Sequence, residues 1–216
     1  TPRYHLYLSE LADIFPEAQF VVLHRNPLAI IASMYTSWCA GSVDGLIKTR
    51  VDLVDGIANI NDFVEQHECI QIRYEDLLLD PINETRRVMT GLGFSAEDSL
   101  GNYGESENEP ESWGLGDKKT VDTAKKPLKT KLNQWKEDID NPDLWYVCNE
   151  YLEFLGADTV EKFGYSFEDS RIFIDELKEK FEDTITPVAI AGMPTSVFFD
   201  KEHMTLNWQR DQLTAN

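Results

Sequence analysis

The chain has 216 residues, 42% of them hydrophobic, with 39 acidic side chains against 20 basic ones and a net charge of -19. This is enough apolar material for one sizeable domain with its own core, or one domain plus an appendage. The negative surface repels nucleic-acid phosphates and anionic membranes, so neither is an expected partner; an anionic ligand needs a local cluster of donors, shielded from the rest over a Debye length of about 8 Å.

The chain opens on Thr1-Pro2-Arg3 without a methionine and enters structure almost at once, like a protein whose front is missing. Leu6, Leu8, Leu11, Ile14 and Phe15 recur at helical spacing, which predicts an amphipathic helix over Tyr4–Ala18, ended near Pro16. Gln19–His24 is apolar and β-branched without alternation, the pattern of a strand covered on both faces. Asn26 then suits an N-cap and Pro27 a first helical residue, opening a helix to about Trp38. Val43–His67 reads as a second long helical stretch. Cys69–Leu77 reads as a short strand with Tyr74-Glu75-Asp76 at its exit, and Asp80-Pro81 starts a helix running to Gly91.

The order helix, strand, helix, helix, strand, helix predicts an α/β fold with a parallel sheet flanked by helices, whose ligands bind beyond the carboxyl ends of the strands. Ser95–Thr123 breaks the pattern as an acid-rich surface loop carrying Trp113, either a candidate lid over a ligand site or a plain connection. The charge then inverts at Lys125, Lys126, Lys129, Lys131 and Lys136. Asn141–Ala157 is a capped helix, and Glu168–Thr184 makes one more helix before a tail. The chain changes character after Tyr165 and divides at 1–166 and 167–216; in that last helix Phe173, Leu177 and Phe181 form a stripe that packs on the domain or meets a second copy.

The cysteines are Cys39, Cys69 and Cys148, an odd number with no short spacing, so neither a disulfide framework nor a structural zinc site is indicated and a reducing, cytoplasmic setting is the expectation. His67-Glu68-Cys69 lacks a second ligand pair, and no metal is expected. No apolar run approaches the roughly 18 residues of a membrane span.

Arg25 and Ser33 carry the chemical signal. A strand end followed at once by a helix start sets a guanidinium near free backbone N–H groups and a hydroxyl, a combination suited to one tetrahedral anion. No glycine-rich phosphate cradle of the P-loop or dinucleotide type occurs. By strand alternation His24 points to the opposite face from Arg25, and no catalytic role is assigned to it.

These residues resemble the sulfotransferases that use 3′-phosphoadenosine 5′-phosphosulfate (PAPS). "TPRY" is similar to the end of a Lys-Thr-Pro stretch in bacterial members, and "FVVLHRNPLAIIASMY" to their 3′-phosphate motif. "IRYEDLLLDP" resembles the next strand, "KPLKTKLNQWKEDI" the basic loop before a tryptophan-bearing helix, and "YLEFLGADTVEKFGY" the terminal helix with its Gly-Tyr ending. The resemblance covers about Thr1 to Tyr165. It implies a three-layer, P-loop NTPase-like sulfotransferase fold, incomplete at its N-terminus, with PAPS as donor and 3′,5′-ADP as product. Arg25 and Ser33 are then the 3′-phosphate ligands, Tyr74 lies near the adenosine, and Lys126 and Lys129 complete the phosphate cage, with Arg3 a further contributor to a basic island. The acceptor is a small molecule, a carbohydrate or another hydroxyl or amine compound.

The family's 5′-phosphosulfate cradle, its lysine and its general base fall upstream or at the very start. No catalytic residue is therefore placed here, and these residues alone are expected to be inactive. The rival readings are a P-loop-type kinase or NTPase relative and a non-catalytic nucleotide-binding module on the same fold.

Overall fold

A computed structural model describes residues 3–95, 128–181 and 183–200. A 3-10 turn at Tyr4–Leu6 and helix α1 (Leu8–Ile14) lead into strand β1 (Phe20–His24), so the opening helix is shorter than its apolar spacing suggests. Helix α2 (Pro27–Ser37) follows. The stretch expected as one long helix is instead a 3-10 segment at Val43–Thr49, then α3 (Arg50–Val54) and α4 (Gly56–Gln66). Strand β2 (Cys69–Arg73) passes straight into α5 (Tyr74–Leu79), ending earlier than read from sequence, and α6 (Pro81–Gly91) comes next.

Beyond the break in the described residues come α7 (Gln134–Asp138), α8 (Pro142–Lys162) and α9 (Phe167–Phe181). Helix α8 does not stop at Gly156. It kinks there, with φ 68° and ψ 168°, a backbone state that glycine adopts without penalty, and continues to Lys162. A hairpin of β3 (Ala189–Ile190) and β4 (Met193–Pro194) turns through Ala191 and Gly192, both at positive φ, and α10 (Thr195–Phe198) closes the described chain.

β1 and β2 pair in parallel, Phe20 with Cys69 through His24 with Arg73. The architecture is thus a largely helical α/β arrangement around a small parallel sheet. That register ends both strands at the same level, so Arg25 and Tyr74, the next residue of each chain segment, leave the sheet side by side. The sheet is not covered on both faces: Val21 and Leu23 are 44% and 52% exposed, while Phe20 packs edge-on against Phe63 of α4. An apolar run alone does not say which face is covered, and here one is open.

The core lies on the α2 side. Leu28, Ile31 and Ala32 of α2, Leu46 and Leu53, and Leu144, Val147, Cys148, Tyr151 and Leu152 of α8 are fully buried in one cluster. Each such leucine contributes about 1.5–3 kcal/mol of burial. Polar ties fix the register: Tyr151 Oη donates to the Leu53 carbonyl at 3.1 Å, Asn61 Nδ2 to Thr159 at 3.0 Å, and Trp145 Nε1 to Ile174 at 2.9 Å. Trp38 is 54% exposed at the end of α2, whereas Met34 and Tyr35 pack partly buried against the cluster. Among the described residues no helix is long and apolar enough to cross a membrane.

Candidate functional site

Asn26 ends β1 and caps α2, its Oδ1 accepting from Leu28 N–H at 2.9 Å and Ala29 N–H at 3.3 Å. Pro27 contributes no N–H, and Ile30 N–H bonds back to the Asn26 carbonyl. The first-turn donors of α2 are therefore already taken. This corrects the expectation of several free N–H groups beside Arg25: an anion here cannot use the helix terminus and depends on side chains.

Arg25 and Tyr74 are brought together. The guanidinium lies 4.8 Å from the centre of the Tyr74 ring, and both residues are half-buried. A cation over an aromatic face gains about 0.5–2 kcal/mol, more as water is excluded, and leaves the in-plane N–H donors free. Among the described residues Arg25 meets no carboxylate at ion-pair distance. Ser33 is half-buried on α2, on the flank that also carries Asn26 and Ile30, and among the described residues it is not hydrogen-bonded to Arg25 or Tyr74. The rise from Pro27 to Ser33 is about 9 Å, so an anion shared by Arg25 and Ser33 lies along the helix flank within reach of the long arginine side chain.

Lys129 is exposed in a 3-10 turn, Lys129–Lys131, just before α7. Asp80's carboxyl is held below its usual range, first by the Asn83 side-chain and backbone donors and then by the charges of Lys129 and Arg86, which places Lys129 on the α6 side. Lys131 Nζ donates to Gln134 Oε1 at 2.7 Å, tying the turn to the first residue of α7. The Asp138 carboxyl at the end of α7 is pushed up by burial and then by Glu137, against the opposing charges of Lys131 and Arg25. The basic turn and the strand end therefore share one electrostatic neighbourhood. Lys126 and the acid-rich loop with Trp113 lie outside the described residues, Ser95 excepted. Arg3 is committed elsewhere, with Nε 3.2 Å from Asp52 Oδ2 and a guanidinium nitrogen 2.6 Å from the Lys48 carbonyl.

Sequence reading missed Glu75. Its Oε1 accepts the Asn26 N–H at 3.2 Å, and its Oε2 accepts the Tyr165 hydroxyl. Burial, then the Glu75 hydrogen bond and charge, push the Tyr165 phenol up, so it stays a donor, and the Arg73 guanidinium lies 4.6 Å over its ring. One carboxylate thus joins the β1–α2 turn, the exit of β2 and the end of α8. The only sequence signals were its place after Tyr74 and the Gly-Tyr ending.

His24 is 3% exposed, edge-on to Phe163 at 4.6 Å, and neither ring nitrogen has a hydrogen-bond partner among the described residues. Burial, with help from the Arg73 charge and against the neighbouring Gln71 amide, depresses its pKa, so it is neutral at pH 7. It faces a cavity of about 380 Å³ between the sheet and the end of α8, away from the Arg25–Tyr74 pair.

A strand-end arginine over an aromatic ring, in one electrostatic neighbourhood with a basic turn, thus stands at the carboxyl ends of two parallel strands, where α/β frames bind their ligands. Residues 1–98 match the Sulfotransferase family. The chain is 26% identical over 187 residues to nodulation protein NoeE of Sinorhizobium fredii, covering 76% of this chain and 43% of that protein. It is 27% identical over 106 residues to the omega-hydroxy-beta-dihydromenaquinone-9 sulfotransferase Stf3 of Mycobacterium tuberculosis and of Mycobacterium bovis, covering 43% of this chain and 27% of each. It spans less than half the length of these relatives. No solved structure matches it. These similarities support a sulfotransferase family of the bacterial type.

Proposed function

We propose that this chain carries the 3′-phosphate-binding half of a PAPS-dependent sulfotransferase on a three-layer, P-loop NTPase-like fold. Arg25 and Ser33 grip the 3′-phosphate along the flank of α2. Tyr74 carries Arg25 on its ring and lies beside the adenosine, while Lys129 and Lys126 approach from the basic turn. The observation that supports this best is Arg25 itself: in a chain of net charge -19 it lies over Tyr74 with no carboxylate at ion-pair distance among the described residues. A guanidinium so placed presents its planar fork to an incoming oxyanion, which a lysine cannot match.

In the reaction, an acceptor oxygen or nitrogen attacks the sulfur of PAPS, the bond from sulfur to the bridging phosphate oxygen breaks, and 3′,5′-ADP departs as the acceptor proton passes to a base. As in phosphoryl transfer, positioning and charge stabilisation carry such a step. The residues of this chain supply positioning on the nucleotide side, and no catalytic base or phosphosulfate ligand is assigned to them. A hydroxyl acceptor is favoured by the omega-hydroxy substrate in the name of the Stf3 relatives. Calorimetric titration tests the donor: 3′,5′-ADP should bind and 5′-AMP and ATP should bind at least about tenfold more weakly, the worth of one charge-assisted phosphate contact. Equal or tighter binding of ATP refutes the PAPS assignment in favour of a kinase-like nucleotide site.

A further inference from the structure

The basic turn that supplies Lys129 has little holding it locally. It is a three-residue 3-10 turn followed by α7, a helix of only five residues, and so short a helix has no stability of its own. What fixes α7 is packing. On one side it lies against α2, the helix that carries Ser33. On the other it meets α9. Trp135 of α7, 8% exposed, stands edge-on to Phe173 of α9 with ring centres 5.2 Å apart. The Lys136 ammonium lies 5.5 Å from the Trp135 ring and 5.2 Å from the Phe173 ring, over both. Just past α7, Asp140 pairs with Lys180 of α9 at 2.5 Å, and Ile139 is fully buried.

α9 lies outside the stretch that matches the family, residues 1–98. Its Phe173 ring is nonetheless the wall against which α7 is set, and through Gln134 and Lys131 the same helix holds the basic turn. We propose that Phe173 is a positioning residue of the donor site: by clamping Trp135 it fixes α7, and so sets where the Lys129–Lys131 turn stands relative to Arg25. This rests on the donor-site reading above and adds that nucleotide affinity depends on a helix beyond the family's matched segment. The stripe of apolar residues in α9 is then more than a packing face, since one member of it controls the site.

The experiment is titration of the 216-residue chain with 3′,5′-ADP. Phe173→Ala is expected to weaken binding about fivefold, the worth of roughly 1 kcal/mol of lost lysine placement, and Phe173→Tyr, which keeps the ring, to restore it within about twofold. The loss should shrink in high salt, because a lysine–phosphate attraction is screened and a packing defect is not. It should also vanish in a Lys129→Ala background, as expected for two groups acting as one unit. Phe181→Ala removes another buried ring of α9, one that meets Trp145 of α8, and should lower Tm without changing the affinity of the folded protein. If Phe173→Ala does not fold, Phe173→Leu carries the same expectation at about threefold. Unchanged affinity in the Phe173 variants, an equal loss in Phe181→Ala, or additivity with Lys129→Ala overturns the proposal while leaving the donor site standing. Absence of 3′,5′-ADP binding by the unsubstituted chain overturns both.

Discussion

Glu75 is where the structure can be tested most sharply. Replacing it with alanine removes the acceptor for both the Asn26 N–H and the Tyr165 hydroxyl. Hydrogen bonds to a charged group contribute about 1.5–3 kcal/mol each. Asn26 is half-buried, so water can partly replace its bond, whereas Tyr165 is 7% exposed and its hydroxyl is left with only the Arg73 guanidinium beside it. Weighting the two accordingly gives a loss of about 3 kcal/mol for Glu75→Ala, and about 1.5–2 kcal/mol for Tyr165→Phe, which deletes only the phenol. For a chain of this length, 1 kcal/mol corresponds to a Tm change of about 2–4 °C, so the shifts should be about 6–12 °C and 3–8 °C. A double-mutant cycle by calorimetry or urea unfolding should return a coupling of about 1.5 kcal/mol between the two positions. A Tyr165→Phe variant melting within about 1 °C of the parent, or a coupling near zero, would refute the claim that this carboxylate joins the three segments.

Three further outcomes follow from other parts of the structure. Arg25→Ala should weaken 3′,5′-ADP binding about 10- to 100-fold in calorimetric titration, with Arg25→Lys intermediate, because a point charge replaces a fork. His24 has a depressed pKa in the fold, so below the ordinary histidine value of about 6.5 the unfolded chain binds the extra proton; stability is full above that pH and falls below it by up to about 1.4 kcal/mol per pH unit. Tm measured from pH 7.5 to 5.5 should show this slope, and His24→Phe should flatten it. Arg50, 7% exposed, donates to the carbonyls of Phe198 at 2.5 Å, Val197 at 3.0 Å and Asp200 at 3.1 Å; Arg50→Met should cost about 3 kcal/mol and speed proteolysis near residues 193–200, read by mass spectrometry.

The β1–turn–α2 unit was legible because its signals are local. A β-branched run, an asparagine and a proline specify strand, cap and first turn within a few residues. Tyr74 was placed at the strand exit for the same reason, although β2 gives way to helix at that residue rather than four residues later. Solvent cover was not legible: Val21 and Leu23 have the composition of buried strand residues, yet burial depends on what packs against them, which lies elsewhere in the chain. The break at Asp55-Gly56 and the continuation of α8 through Gly156 went unread because tertiary packing decides whether a glycine ends a helix or kinks it. Glu75 was invisible as a site residue because its partners are 49 and 90 residues away.

The same distinction bears on how so acidic a chain assembles the proposed anion site. Screening confines each charge to about 8 Å, so the net charge of -19 matters less than which groups stand beside Arg25. Those groups come from three segments: the β1 end, the β2 exit and the basic turn with α7. The first two are joined by Glu75, whose carboxylate is spent on Asn26 and Tyr165. On the third, Asp138 feels the Arg25 charge, and its raised pKa reflects burial first and Glu137 second. A carboxylate that is harder to ionise opposes an incoming phosphate less, and a bound phosphate would raise its pKa further. Binding should therefore draw a proton toward Asp138, a contribution that strengthens 3′,5′-ADP affinity as the pH falls and opposes the weakening from the ligand phosphate's own protonation at pH ~6. Asp138→Asn should abolish that contribution and tighten binding at pH 7. If Asp138→Asn leaves both the pH profile and the affinity at pH 7 unchanged, Asp138 does not share the site with Arg25.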